Sequence, residues 1–509
     1  MKACCCPRAC HHVHPTKACH PRRRAPFLAL SDGIVAPPAS PQISCDGRLV
    51  FVTYEQGDIA AQLFSNDEGM LVPLRSFPAE EGYQTRGGGA SPRFDRFTIV
   101  DQAAVGGSWR VRLLDVTFAV LGARTFDGPA PFLLGGRFSP DGRYISVTHG
   151  TGTSPQVSLV DVLEADPALA PVARALFAGV SSGSRWFSLE AERTDRHCGC
   201  RSPHGGDNNR DKGEGEGEGG GEEEEEEGDK AGHEGGGHTH KELPTGCRSC
   251  SGKVSRYYLA VPYGQTPLDP TYPAAGLLVY RFKPKRGSLV LEGAASAPQY
   301  ALVAAVSPPK RRCEKEANGG GGGHGRGGSA AGHEGETVLI AVGTAYALLP
   351  GEPTVYTQTE GDSSLLPRDS DEARVYEFSG SPDWRTCPTG VNPHNALRLV
   401  HSERAEGDVL PVAFHPSRPV VVYGVGKPDI AVGALSAFRI RWHAEGCEKC
   451  SQVELEIIDR TQFPIPPASF EANFSGNGRW FVVGGSDSEG LKNVLLYRVD
   501  SSCKALAGV

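Results

Sequence analysis

The sequence predicts an all-β fold assembled from small repeated sheets. Three observations point there. Glycine and proline are abundant, 65 and 39 of the 509 residues, which favours many turns and short strands over long helices. A tight turn of the form Ser-x-Asp-Gly-Arg recurs along the chain, each time between two apolar segments. The recurrences also keep a spacing, with Arg48, Arg96 and Arg143 separated by 48 and 47 residues. A period of that size is one four-stranded unit of a closed ring. The expected architecture is therefore a single β-propeller of seven four-stranded blades.

The turn is clearest at Ile43-Ser-Cys-Asp-Gly-Arg-Leu-Val-Phe-Val52, Phe138-Ser-Pro-Asp-Gly-Arg-Tyr-Ile-Ser-Val147 and Phe474-Ser-Gly-Asn-Gly-Arg-Trp-Phe-Val-Val483. Asp-Gly and Asn-Gly supply the positive φ that short hairpins require, and the flanking segments read as strands. Weaker copies are Ser91-Pro-Arg-Phe-Asp-Arg-Phe-Thr-Ile-Val100 and Phe414-His-Pro-Ser-Arg-Pro-Val-Val-Val-Tyr423. A third-strand element follows each turn: Val111-Arg-Leu-Leu-Asp-Val116, Val157-Ser-Leu-Val-Asp-Val162, Leu277-Leu-Val-Tyr-Arg-Phe282, Arg374-Val-Tyr-Glu-Phe378 and Val494-Leu-Leu-Tyr-Arg-Val499. Turn and strand together resemble the WD40-like repeats of WD-repeat and Tol-type propellers. The resemblance covers nearly the whole chain outside the N-terminal tail and two inserts. It implies a fold and leaves the activity open. It also implies closure by strand exchange, with Pro26-Phe-Leu-Ala-Leu30 as the outer strand of the last blade.

Two low-complexity inserts interrupt the period, an acidic Gly/Glu/His-rich one over 197–250 and a Gly-rich one over 308–336. Trp186–Leu189 and Arg256–Val261 read as first and second strands around the acidic insert. Ala301–Val306 and Val338–Val342 flank the other. With both removed, first strands are expected near residues 42, 90, 135, 185, 300, 411 and 470. The inserts then leave one face of the ring from the fourth and fifth blades. Phe138, Tyr144, Phe474 and Trp480 are expected in blade cores. The propeller spans 26–509, and residues 1–25 read as a disordered basic tail rich in Cys and His.

The formal net charge of −8 comes from one place. Residues 211–242 alone carry a charge of −10, leaving the remainder close to neutral. No strong electrostatic signal for nucleic acid follows, and no apolar run is long enough to span a bilayer. Met1–Arg24 lacks Asp, Glu and an apolar secretory core. A cytoplasmic location is expected, with organelle targeting as the alternative, although Pro7, Pro15 and Pro21 break an amphipathic targeting helix.

Five of the fifteen cysteines fall within the first nineteen residues. The odd total and the expected reducing compartment argue against a disulfide framework. Cys198-Gly-Cys200 and Cys247-Arg-Ser-Cys250 bracket the acidic insert. Four thiolates at the base of a loop can hold Zn²⁺ tetrahedrally, and a structural zinc is the cofactor this pattern points to, with His197 as a substitute ligand. Free cysteines on the insert's flanks are the alternative. Cys447-Glu-Lys-Cys450 is half such a site, a redox pair or a turn pair, at the tip of a hairpin between Arg439–Trp442 and Leu455–Ile458.

Three apparent motifs lack their context. Gly179-Val-Ser-Ser-Gly183 has the letters of a nucleophile elbow without a helix to follow. The glycine strings near Gly215 and Gly320 match phosphate loops by composition alone. Asn473-Phe-Ser475 is a sequon inside an expected strand. The function these features favour is a non-enzymatic scaffold binding other proteins. A lactonase- or hydrolase-type propeller enzyme with a site at the central channel is one alternative. A metal-responsive protein acting through its Cys/His-rich inserts is the other.

Overall fold

The computed structural model describes residues 40–499 apart from 193–252, 312–335, 345–371 and 381–395, the shorter segments 129–134, 151–156, 265–274, 298–300, 405–408, 426–432, 445–450, 466–470 and 487–491, and positions 56, 106, 180 and 182. The chain divides into two units, Glu192–Val254 and the remainder. The second of these is a β-propeller.

Its six four-stranded blades follow one another along the chain. The first holds β1 (Gln42–Ile43), β2 (Leu49–Thr53), β3 (Ile59–Asp67) and β4 (Met70–Pro78). The second holds β5 (Tyr83–Ala90), β6 (Arg96–Ala103), β7 (Ser108–Asp115) and β8 (Val120–Asp127). The third holds β9 (Arg137–Phe138), β10 (Tyr144–Gly150), β11 (Val157–Glu164) and β12 (Pro171–Ala178). The fourth runs β13 (Arg185–Glu192), β14 (Lys253–Tyr263), β15 (Ala275–Lys283) and β16 (Ser288–Ala297). The fifth runs β17 (Ala301–Val306), β19 (Glu336–Thr344), β20 (Glu372–Ser379) and β21 (Leu397–Arg404), with the short β18 (Lys310–Arg311) beside β19. The sixth runs β22 (Val412–Phe414), β23 (Val420–Val425), β24 (Gly433–Ala444) and β25 (Ser451–Ile465). A last sheet has three described strands, β26 (Glu471–Phe474), β27 (Trp480–Ser486) and β28 (Lys492–Arg498). One 3-10 turn, Pro284–Arg286, is the helical content among the described residues.

The core follows from radial stacking. Seven hydrophobic clusters each fill the space between two neighbouring sheets. Phe51 and Leu63 of the first blade meet Phe97 and Ile99 of the second, and Val482, Val494 and Leu496 of the last sheet meet Val50, Val52 and Phe64 of the first blade. The last sheet therefore packs on the first. Second and third strands lie between two neighbours and bury nearly every residue, as in β10 and β19. An outer strand such as β8 alternates exposed and half-buried positions, because water reaches its edge. Of the expected core aromatics, Phe138 and Tyr144 are buried. Phe474 and Trp480 are half-buried, because they pack towards the neighbouring turns.

Three of the recurring turns are held by the same bonds. In the third blade Ser139 Oγ donates to Asp141 Oδ1 (2.6 Å), which accepts from the Arg143 N–H (3.1 Å), while Tyr144 N–H donates to Ser139 Oγ (3.0 Å). The first blade repeats this with Ser44 and Asp46, and the last sheet with Ser475 and Asn477. Gly47, Gly142 and Gly478 take φ of 77°, 72° and 68°. The second blade has no glycine there, and Phe94 adopts φ 55° instead. In the fifth blade the turn serine is Ser307, whose Oγ accepts from Leu339 N–H across the insert (2.8 Å).

Among the described residues the first-to-second-strand turns open on one face, because successive strands are antiparallel. The acidic insert lies between β13 and β14, and the Gly-rich one between β18 and β19. The latter is narrower than 308–336, since Ser307, Lys310 and Arg311 still pair with β19.

Candidate functional site at the ring centre

The first strands line the axis of the ring, and their polar side chains meet around Glu471. This residue begins β26, and its side chain is 1 % exposed. Arg137, from β9 of the third blade, donates through Nη2 to Oε2. Arg185, from β13 of the fourth, donates through Nη2 to Oε1 at 2.5 Å. Ser40 Oγ, on the lead into β1, donates to Oε2 at 2.6 Å. Asn473 Nδ2 donates to Oε1 (3.3 Å) and to the Pro41 carbonyl (2.8 Å). Four donors from four places in the chain thus saturate one carboxylate. Two guanidinium groups converge on one carboxylate.

The electrostatics follow from this. Burial pushes the Glu471 carboxyl up, but the charges of Arg137 and Arg185 and the bonds from Ser40 and Arg137 outweigh it, so it stays below its ordinary pKa. Burial draws the Arg137 guanidinium down to about 10, against the pull of Glu471. At neutral pH Glu471 and Arg137 are therefore both charged.

The neighbouring backbone leaves room for the two arginines. β5 carries Gly87-Gly88-Gly89, and a Cβ on Gly89 would sit 2.3 Å from the Gly136 carbonyl oxygen. Thr98 Oγ1 donates to that same oxygen at 2.6 Å. Only a glycine lets the second and third blades approach so closely at their inner edges. The run of three glycines in a strand was the signal for this in the sequence. Nothing in the local pattern marked Glu471, Arg137 or Arg185, because each partner is more than 280 residues from Glu471 along the chain.

A second polar network joins turn to turn on the face that carries them. Arg96 Nη2 donates to the Gly142 carbonyl (2.7 Å), linking the second and third blades. Tyr257 Oη donates to Asp141 (2.9 Å), linking the fourth to the third. In the sixth blade His415 stands where other blades have serine. Its Nδ1 accepts the N–H groups of Ser417 and Arg418 (3.2 and 3.1 Å), and Nε2 then donates to the Gly478 carbonyl (3.2 Å). Asn477 closes the circuit with bonds to the Cys45 and Asp46 carbonyls, both 2.8 Å.

Buried carboxylates elsewhere are also paired. Asp161 in β11 bonds Arg174 (2.6 and 2.8 Å) and His149 (3.0 Å). Burial raises its pKa, and the His149 and Arg174 bonds more than reverse this. Asp101 in β6 lies beside Arg110 and Arg112, at 3.1 and 2.6 Å, yet burial wins and its pKa is raised.

The sequence-derived metal candidates Cys198, Cys200, Cys247 and Cys250 lie outside the described residues, as do Cys447 and Cys450. Among the described residues no group of three or more His, Cys, Asp or Glu side chains is arranged to hold a metal ion. Gly179–Gly183 joins β12 to β13. Its buried Ser181 hydroxyl donates to the Gly183 carbonyl (2.9 Å) with no helix following, which is the wrong setting for a nucleophile. Asn473 of the sequon is half-buried, with its amide engaged as above.

The sequence matches no family model and no curated protein. Solved structures with similar arrangement include the WD40 repeats of RRP9, at 10 % identity, covering 93 % of this chain and 99 % of that one with a TM-score of 0.43. A putative 6-phosphogluconolactonase from Bacteroides uniformis has 11 % identity, coverages of 90 % and 94 %, and a TM-score of 0.45. The β-propeller domain of Cps50 (Swd1) from Myceliophteria thermophila has 8 % identity, coverages of 93 % and 100 %, and a TM-score of 0.42. A repeat domain and a putative enzyme score alike, so these likenesses do not choose between binding and catalysis. Among the described residues no helix is long and apolar enough to cross a membrane.

Proposed function

We propose that this chain is a non-enzymatic interaction scaffold, a WD40-like propeller of seven blades whose last blade takes its outer strand from Pro26–Leu30. The observation that supports this reading best is the saturation of Glu471. Among the described residues Glu471 and its four donors are spent on one another, which suits a rigid frame that works through the loops it presents. The two low-complexity inserts follow the first strands of the fourth and fifth blades. Partners are other proteins held on those loops. The reading is tested by capturing the full-length chain from its own cells and sizing the eluate. A partner that co-elutes at fixed stoichiometry, and recovers this chain in the reciprocal capture, supports it. A chain that elutes alone and hydrolyses lactones overturns it in favour of an enzyme.

The same reading gives Cys198, Cys200, Cys247 and Cys250 a structural zinc. Its support is the donor set itself, two close thiol pairs at the two ends of one insert. Protein prepared in reducing, zinc-replete buffer should carry metal that Cys247→Ser plus Cys250→Ser removes. Metal-free wild-type protein under those conditions rules the zinc out.

A further inference from the structure

The site at the ring axis has the makings of a receptor. A carboxylate offers about four lone-pair positions, and Glu471 has each of its oxygens bonded twice: Oε2 by Arg137 and Ser40, Oε1 by Arg185 and Asn473. The donors come from the third blade, the fourth blade, the lead into the first, and β26 itself. Two are fixed independently of the acid. Arg185 Nε is held by the Ala304 carbonyl at 3.1 Å, and Asn473 is tied to Pro41. Third and fourth blades lie opposite the last sheet in ring order. The contact therefore crosses the axis, where every other link described above joins neighbours.

We propose that the ring axis is a carboxylate receptor and that Glu471 is its tethered occupant, a clasp fastening the last sheet to the third and fourth blades through the centre. Fastening there matters because the last sheet is the point at which the ring must close. A neighbour-to-neighbour seam can open like a zip. A bond across the diameter resists the same opening from a second direction, so the two act together. The clasp operates at any pH at which Glu471 is ionised, and it is independent of what the loops bind.

The test is chemical rescue. Glu471→Ala removes a side-chain portion whose heavy atoms are those of acetate, and it takes the Glu471 carboxylate away from two guanidinium groups. The melting temperature of that full-length variant should fall by several degrees. It should recover in sodium acetate but not in sodium chloride of equal ionic strength, with wild type indifferent to the exchange of salts. An unchanged melting temperature, or equal recovery in both salts, overturns the proposal. Should Glu471→Ala fail to fold, a cycle of Glu471→Gln, Arg185→Gln and the double variant decides. Coupling across the axis requires the double variant to lose less than the two single losses added together. Simple additivity would overturn the clasp.

Discussion

The turns of the third and sixth blades share a closing backbone bond, Ser139 N–H to the Tyr144 carbonyl and His415 N–H to the Val420 carbonyl, but are held by two chemistries. In the third, Ser139 and Asp141 hold the hairpin and Gly142 supplies the positive φ. In the sixth, a single imidazole accepts two backbone N–H groups and donates onward to the last sheet. The serine version is local and indifferent to pH near neutrality. The histidine version also couples two sheets, and it works only while Nδ1 is unprotonated. What the ring needs at this position is an acceptor for backbone N–H groups; the residue type decides how the acceptor responds to acid.

The largest consequence of the contrast is acid sensitivity. Burial, then the charge of Arg418, draws His415 down to about 4, against the bond to Gly478. The unfolded chain takes up its proton nearer 6.5, so the contribution is intact above that value. It is lost as pH falls towards 4, on the order of 3 kcal/mol for this one group. Thermal unfolding from pH 7 to 4.5 should show a steeper loss for wild type than for His415→Asn. Part of the slope will remain, since burial also lowers His401. Parallel profiles for the two proteins would mean that His415 is not held neutral.

A smaller effect separates two glycines with the same backbone. Gly47 and Gly142 both have positive φ, but a Cβ on Gly47 would lie 2.4 Å from Trp480 Cδ1, whereas on Gly142 the nearest atom is 3.5 Å away. Gly142→Ala bears the conformational strain alone, about 1 kcal/mol. Gly47→Ala bears that plus displacement of the indole at the junction of last and first sheets, and should cost about twice as much. Equal melting temperatures would show that the Trp480 contact carries no weight.

The smallest effect should come from removing residues 203–243. That stretch is polar, charged and Gly-rich, and shortening a loop changes closure entropy by only about 1 kcal/mol. A drop of many degrees would mean that it contributes packing to the folded protein.

How far the sequence could be read depended on the range of the interaction. Hairpins are local, so Ser139-Pro-Asp-Gly142 and its copies marked the strands, and first strands lie at or near the expected positions even across the inserts. Letters alone misled where register mattered. Val111-Arg-Leu-Leu-Asp-Val116 and Val157-Ser-Leu-Val-Asp-Val162 look equivalent, yet Asp115 ends β7 and accepts the N–H groups of Thr117 and Ala119, while Asp161 sits within β11, opposite Val147 and Arg174. Ser307 was hidden because the residues after it lack the Asp-Gly signature. His415 looked like a degraded serine turn, since its role needs Gly478, 63 residues away. Glu471 lay further out of reach, because its partners are assembled only by the closed ring.

Closure of the ring can be read from hydrogen exchange measured strand by strand. The last sheet packs on the first through Val482, Val494 and Leu496 and is bonded to it by Asn473 and Asn477. The amides of β27 should therefore exchange as slowly as those of β6 and β10 in the second and third blades. Exchange in β26–β28 that is orders of magnitude faster, with the other blades still protected, would show that the ring is open.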